Sequence, residues 1–154
     1  MKKTLKNVLI ASHGTDGARA AERLALTICP RGCSLHHLIV VPEFWKGMMG
    51  DDWLNNVSTR IAYAEYIENT LQKEVAREVR RFGRDAKKRG LRYDVEMAFG
   101  KPSDCLLEKL KKIAPDLMIL GTLRPRRQTG LRSRMLNDDV LRQISVPILI
   151  APNR

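Results

Sequence analysis

Leu117-Met118-Ile119-Leu120-Gly121-Thr122-Leu123-Arg124 joins a four-residue apolar run to a glycine-led loop. An apolar run of that length, closed by a turn signal, reads as a buried strand. Beyond the loop, Met135, Leu136, Val140, Leu141 and Ile144 recur at helical spacing and predict a helix with a buried stripe. A loop between strand and helix can cradle phosphate when glycines let backbone amides approach the anion. Gly121 and Thr122 open such a loop here, but its later positions carry Arg124 and Arg134-Met135. The setting is that of a phosphate loop, and the residues are altered.

The same alternation of apolar runs and helical stretches extends outward in both directions. Val8-Leu9-Ile10-Ala11 and Leu38-Ile39-Val40-Val41 read as the first two strands. Leu91 to Ala98, with Tyr93, Val95 and Met97 alternating against charged neighbours, reads as the third, and Val146 to Ala151 as the fifth. Ala18, Ala21, Ala25 and Ile28 mark a helix after the first strand. Ile61, Ala64, Leu71, Val75, Val79, Phe82 and Ala86 predict one long helix from about Val57 to Arg89, with Gly83 weakening it locally and Gly90 capping its end. Gly100-Lys101-Pro102 opens another, which buries Leu106, Leu107, Leu110 and Ile113. Near-continuous apolar strands separated by helices predict an α/β fold, a doubly wound parallel sheet with helices on both faces, in a single domain over residues 1–154. Ligands in such folds sit beyond the carboxyl ends of the strands, at the switch point. Ser12-His13-Gly14-Thr15-Asp16-Gly17 and Gly121-Thr122 fall there.

Composition narrows the setting. The chain has 154 residues, enough for a substantial core, and 44% are apolar. No apolar run approaches the roughly 20 residues of a membrane span, and the run after Met1-Lys2-Lys3 is too short for a signal-peptide core. A cytoplasmic protein without a membrane partner is expected. The odd count of three cysteines, Cys29, Cys33 and Cys105, fits a reducing compartment. Cys29 and Cys33 stand near His36 and His37, but their spacing is one residue too long for a C-x-x-C knuckle, and no metal is expected. The net charge of +11 points to acidic or phosphorylated partners.

The pattern as a whole resembles the universal stress protein family. The resemblance rests on Asn7-Val8-Leu9-Ile10-Ala11 with Gly14-Thr15, on Gly100-Lys101-Pro102, on Asp116 to Thr122, and on the ending Val140 to Ile150. It implies a five-stranded parallel sheet in the order 3-2-1-4-5 and a homodimer through the C-terminal strand, here Val146, Ile148 and Ile150. It also implies a stress-response or regulatory role without catalysis. Family members that bind ATP carry G-x2-G-x9-G-[S/T] after strand four. The frame is intact here, but Arg124 and Arg134 stand at the second and third glycines and Met135 at the hydroxyl residue. His13 stands where such members place an aspartate after strand one. Each departure removes backbone approach or a polar ligand, so no ordinary ATP binding and no resident cofactor are expected. Ser12, Gly14 and Asp16 also match part of the S-G-G-x-D-S loop of ATP pyrophosphatases, with His13 and Gly17 against it. No catalytic residue set is expected.

The expected reading is a non-catalytic binding module with a degenerate ATP loop. Its candidate nucleotide or anion site comprises Ala11, Ser12, His13, Val41, Gly121, Thr122, Arg124, Arg134 and Met135. One alternative is a stress protein that still holds ATP or another phosphorylated ligand, using arginine forks in place of glycine amides. A second is a polyanion-binding protein acting through overall charge. Phe44, Trp45, Met48, Met49 and Trp53 form a candidate lid or patch for an unidentified protein partner. Lys73, Arg77, Arg80, Arg81, Arg84, Lys87, Lys88 and Arg89 interleave with Glu74, Glu78 and Asp85. That spacing reads as a solvated face with local ion pairs, so nucleic acid is not the expected partner.

Overall fold

The computed structural model describes residues 4–12, 16–41, 73, 76–99, 101–121, 136 and 138–152, with side chains for all of these but 16–18, 41 and 99. The described elements are β1 (Asn7–Ser12), α1 (Asp16–Ile28), β2 (Ser34–Val41), helix α2 (76–88), β3 (Arg92–Phe99), α3 (Pro102–Ile113), β4 (Leu117–Gly121), α4 (Asp138–Gln143) and β5 (Ile148–Ala151). The strands form one parallel sheet in the order β3-β2-β1-β4-β5. The fold is therefore the doubly wound sheet that the apolar runs and the resemblance imply.

Alternation along each strand builds two cores. Val8, Ile10, Leu35 and Ile119 face α1 and α2, where Ala21, Ala25, Phe82 and Ala86 cover them. Leu9, Ala11, Leu38, Val40, Met118 and Leu120 face the other way, onto Leu106 of α3 and Val140 of α4. Burying both faces is why the central strands carry almost no polar residues. Asp116 ties the two central strands together at their amino ends, its carboxylate accepting from the backbone N–H groups of Lys6 (2.9 Å) and Asn7 (3.0 Å).

Helix ends follow their local chemistry. Pro102 occupies the first turn of α3 and Asp104 lies near its positive end. Gly90 ends α2 with φ +73, and Leu91 N–H reaches back to the Ala86 carbonyl at 3.0 Å. Gly83 does not interrupt α2. Its missing side chain leaves room for the Tyr93 ring, which an added Cβ would meet at 3.3 Å.

One expectation needs correcting. Leu141 is exposed, because α4 has only six residues and Val140 takes its inward position. Of the residues expected at a dimer surface, Val146 and Ile148 are partly buried and pack against the chain's own core, and Ile150 is 53% exposed. Leu149, beside Ile150, is 36% exposed. The expected segment from Val57 to residue 72 lies outside the described residues, as does the Phe44, Trp45, Met48, Met49 and Trp53 patch.

Candidate functional site

β1 and β4 run side by side, with Val8 opposite Leu117 and Ala11 opposite Leu120. The chain leaves β1 toward α1 on one face, whereas α4, which follows β4, covers the other. The crevice beyond Ser12 and Gly121 is thus the switch point, where doubly wound sheets hold their ligands. Ala11, Ser12 and Gly121 come together there. Val41 lies one strand away on β2, paired with Phe99. His13, Thr122, Arg124, Arg134 and Met135 lie outside the described residues. Near the same edge, a groove of about 390 Å³ runs between α1 and the end of β5, lined by Ala20, Arg23, Leu24, Thr27, Ala151 and Pro152.

The Ser12 side chain does not serve this edge. It is 5% exposed and its hydroxyl hydrogen-bonds His37 Nε2 at 2.9 Å, on the α1 and α2 side of the sheet. His37 Nδ1 in turn bonds the Tyr93 hydroxyl at 2.8 Å. His37 pairs with Ile10 on one neighbouring strand and Val95 on the other, so Ser12 and Tyr93 are its diagonal neighbours. Phe82 closes the cluster, its ring centroid 5.1 Å from that of Tyr93 and 5.8 Å from that of His37. Burial pushes His37 down to about 4 and Tyr93 above its usual range, so both are neutral near pH 7. A neutral imidazole offers one donor and one acceptor, and the two hydroxyls satisfy both. At the edge, therefore, β1 supplies backbone and not a hydroxyl.

Sequence reasoning missed this chain of hydrogen bonds. The available signal was a polar residue at an inward position on each of three neighbouring strands. It becomes legible only once strand order and register are known.

A second polar centre lies between α1 and α2. Glu22 is 5% exposed and accepts from Arg81 at 3.1 Å. Glu78 accepts from Arg81 at 2.6 Å and from Arg19 at 2.9 Å. Burial pushes the Glu22 carboxyl up to about 7 against the opposing pull of the Arg81 charge. Glu78 is held below the usual carboxylate range, chiefly by its hydrogen bond to Arg81.

His36 and His37 project to opposite faces of β2, so the two imidazoles do not gather at one site with the cysteines. Burial pushes the Cys29 thiol up to about 12, far from nucleophilic. His36 Nδ1 is buried without a hydrogen-bond partner, 4.0 Å from the Asp94 carboxylate. Among the described residues no group of three or more His, Cys, Asp or Glu side chains gathers as a metal site would. No helix among them is long and apolar enough to cross a membrane.

No family model and no curated protein matches this chain. Solved structures do. A universal stress protein in complex with cAMP superposes with a TM-score of 0.57 at 17% identity, over 99% of this chain and 100% of that one. UspA from Lactobacillus plantarum gives 0.63 at 20% identity, over 97% and 99%. A universal stress protein family protein from Arabidopsis thaliana with AMP bound gives 0.61 at 11% identity, over 97% and 92%. With the strand order and the switch-point crevice already in place, these end-to-end superpositions identify the architecture: this chain has the universal stress protein fold.

Proposed function

We propose that this chain is a single-domain, non-catalytic binding and regulatory module of the universal stress protein type, with a crevice that has lost ordinary ATP binding. The observation that carries the reading is the altered loop at an intact position. β4 delivers Gly121 beside the end of β1, at the edge where phosphate amides would be needed. In sequence, Arg124, Arg134 and Met135 stand where the family's ATP frame has two glycines and a hydroxyl. Burial of the Ser12 hydroxyl against His37 supports the same reading, because it withdraws a polar ligand from the crevice. It also supports the absence of catalysis. Ser12 and His37 have the spacing of an activated nucleophile but are 5% and 2% exposed, sealed from any substrate. A cytoplasmic setting fits three free thiols.

Titration calorimetry with Mg-ATP at near-physiological salt tests the proposal. No heat is expected below roughly the millimolar range, where binding is worth about 4 kcal/mol. A micromolar dissociation constant for Mg-ATP would overturn it.

The cAMP and AMP of the structural neighbours favour a second reading, in which Arg124 or Arg134 grips a smaller phosphorylated ligand directly. Titrating AMP, cAMP, phosphate and pyrophosphate separates the two. Saturable binding lost in Arg124→Lys or Arg134→Lys would establish the arginine fork, since lysine keeps the charge and lacks the planar donors.

A further inference from the structure

The interleaved charges of α2 do not share one surface. Arg81 and Glu78 turn toward α1, where they pair with Glu22 and Arg19. Arg89 donates to the Leu26 carbonyl of the same helix at 3.0 Å. Asp85 is half-buried, and its charge acts on Arg81. At about 100° per residue, Glu78 and Asp85 lie on the α1-facing flank of α2, and Phe82 and Ala86 face the sheet. What remains outward is Arg77, Arg80, Arg84, Lys87 and Lys88, all exposed and none in an ion pair among the described residues. Over these residues the stripe runs about 16 Å, at 1.5 Å per residue. Exposed Arg23 extends the charge onto α1. The seam between the helices consumes the acids and leaves the bases.

We propose that the outer face of α2, from Arg77 to Lys88, docks the phosphate backbone of duplex nucleic acid without reading sequence. The surface is separate from the carboxyl-edge crevice. Charge complementarity selects the class of partner, since a duplex presents one negative charge about every 1.7 Å along its axis. The absence of exposed apolar residues on the described outer face of α2 selects within that class. An interfacial membrane helix presents an apolar face to the lipid, but Phe82 and Ala86 are spent on the core, at 1% and 0% exposure. Single strands need aromatic platforms; Phe82, the one aromatic residue of the described α1 and α2, is buried. An acidic protein partner would need a central apolar or aromatic anchor, and the outward stripe offers none. Duplex phosphate asks only for a row of exposed cations.

The test is fluorescence polarisation on the full chain with two labelled duplexes of unrelated sequence, across a salt series. Equal affinity for both is expected. Engaging five charges gives a log–log salt slope near 4.5, at about 0.9 per contact, so affinity should fall several-hundred-fold over a fourfold rise in salt. The triple variant Arg77→Gln, Arg80→Gln, Arg84→Gln should lower that slope by about 3. A control with the same loss of charge, Lys111→Gln, Lys112→Gln, Arg142→Gln, changes exposed residues of α3 and α4, on the opposite face of the sheet, and should leave the slope unchanged. Circular dichroism and thermal melts confirm that both variants fold. Equal losses in the two variants would overturn the proposal in favour of diffuse charge. So would absence of duplex binding, whether or not anionic vesicles or an acidic peptide bind instead.

Discussion

Ser12, His37 and Tyr93 show how single residues set the chemistry of this core. His37 is held neutral by burial and satisfied at both nitrogens. Tyr93→Phe keeps the ring and removes the hydroxyl, leaving one imidazole nitrogen buried and unpaired, at a cost of about 1–3 kcal/mol in urea unfolding. A second residue-scale prediction concerns pH. His37 titrates near 4 when folded against a usual 6.5, so its contribution is complete above pH 6.5 and is lost as pH falls through 4. Glu22 titrates near 7 against a usual 4.5, so its contribution is complete below pH 4.5 and is lost as pH rises through 7. Between pH 4.5 and 6.5 the two slopes oppose and mask one another. Glu22→Gln should unmask the histidine, making stability rise with pH across that window by up to about 3 kcal/mol. Urea midpoints at several pH values check this, and a flat profile in the variant would refute the assignment. The aligned chain of residues was readable only in part: Tyr93 was expected to face inward, but nothing local to His37 said that two hydroxyls would meet it.

At the scale of elements, two helix ends make opposite predictions. Gly90 closes α2 with φ +73, and a Cβ there would lie 2.5 Å from the Arg31 side chain. That side chain can swing aside, but the backbone conformation cannot be relieved, so Gly90→Ala should cost about 1–2 kcal/mol. Ala114 caps α3 at φ 42, its N–H bonded to the Leu110 carbonyl at 3.0 Å. A residue with a Cβ pays for that conformation, so Ala114→Gly should stabilise the protein by roughly 0.5–1 kcal/mol. Chemical denaturation reads both as shifts in midpoint at constant slope. The Gly90 cap was legible because glycine advertises a left-handed turn. Ala114 was not, since alanine ordinarily continues a helix; the need to turn into β4 overrides its preference.

For the molecule as a whole, the feature that matters most is the β5 edge of the sheet. β5 is the outermost strand beside β4, with Leu149 36% and Ile150 53% exposed. Unpaired backbone and exposed apolar side chains invite a second copy, and two-fold pairing satisfies both edges at once. A homodimer at micromolar concentration is expected by sedimentation, and Ile150→Lys should yield a folded monomer. A monomeric unaltered protein would sink the idea. Val146 and Ile148 are poor probes, because their loss would also damage the subunit's own core. Apolar runs and helical stripes alone carry the doubly wound class, because strands buried on both faces must be apolar throughout and helices must show a 3.6-residue stripe. Resemblance to a known family supplied the strand order. Which polar residues meet depends on how the elements pack. Ser12, His37 and Tyr93 converge through strand register, and Glu22, Glu78, Arg19 and Arg81 through the packing of α1 on α2. Such contacts join residues tens of positions apart, and no local pattern of spacing encodes them. The same packing sorted the charges of α2, hiding its acids in the seam and leaving its bases facing water.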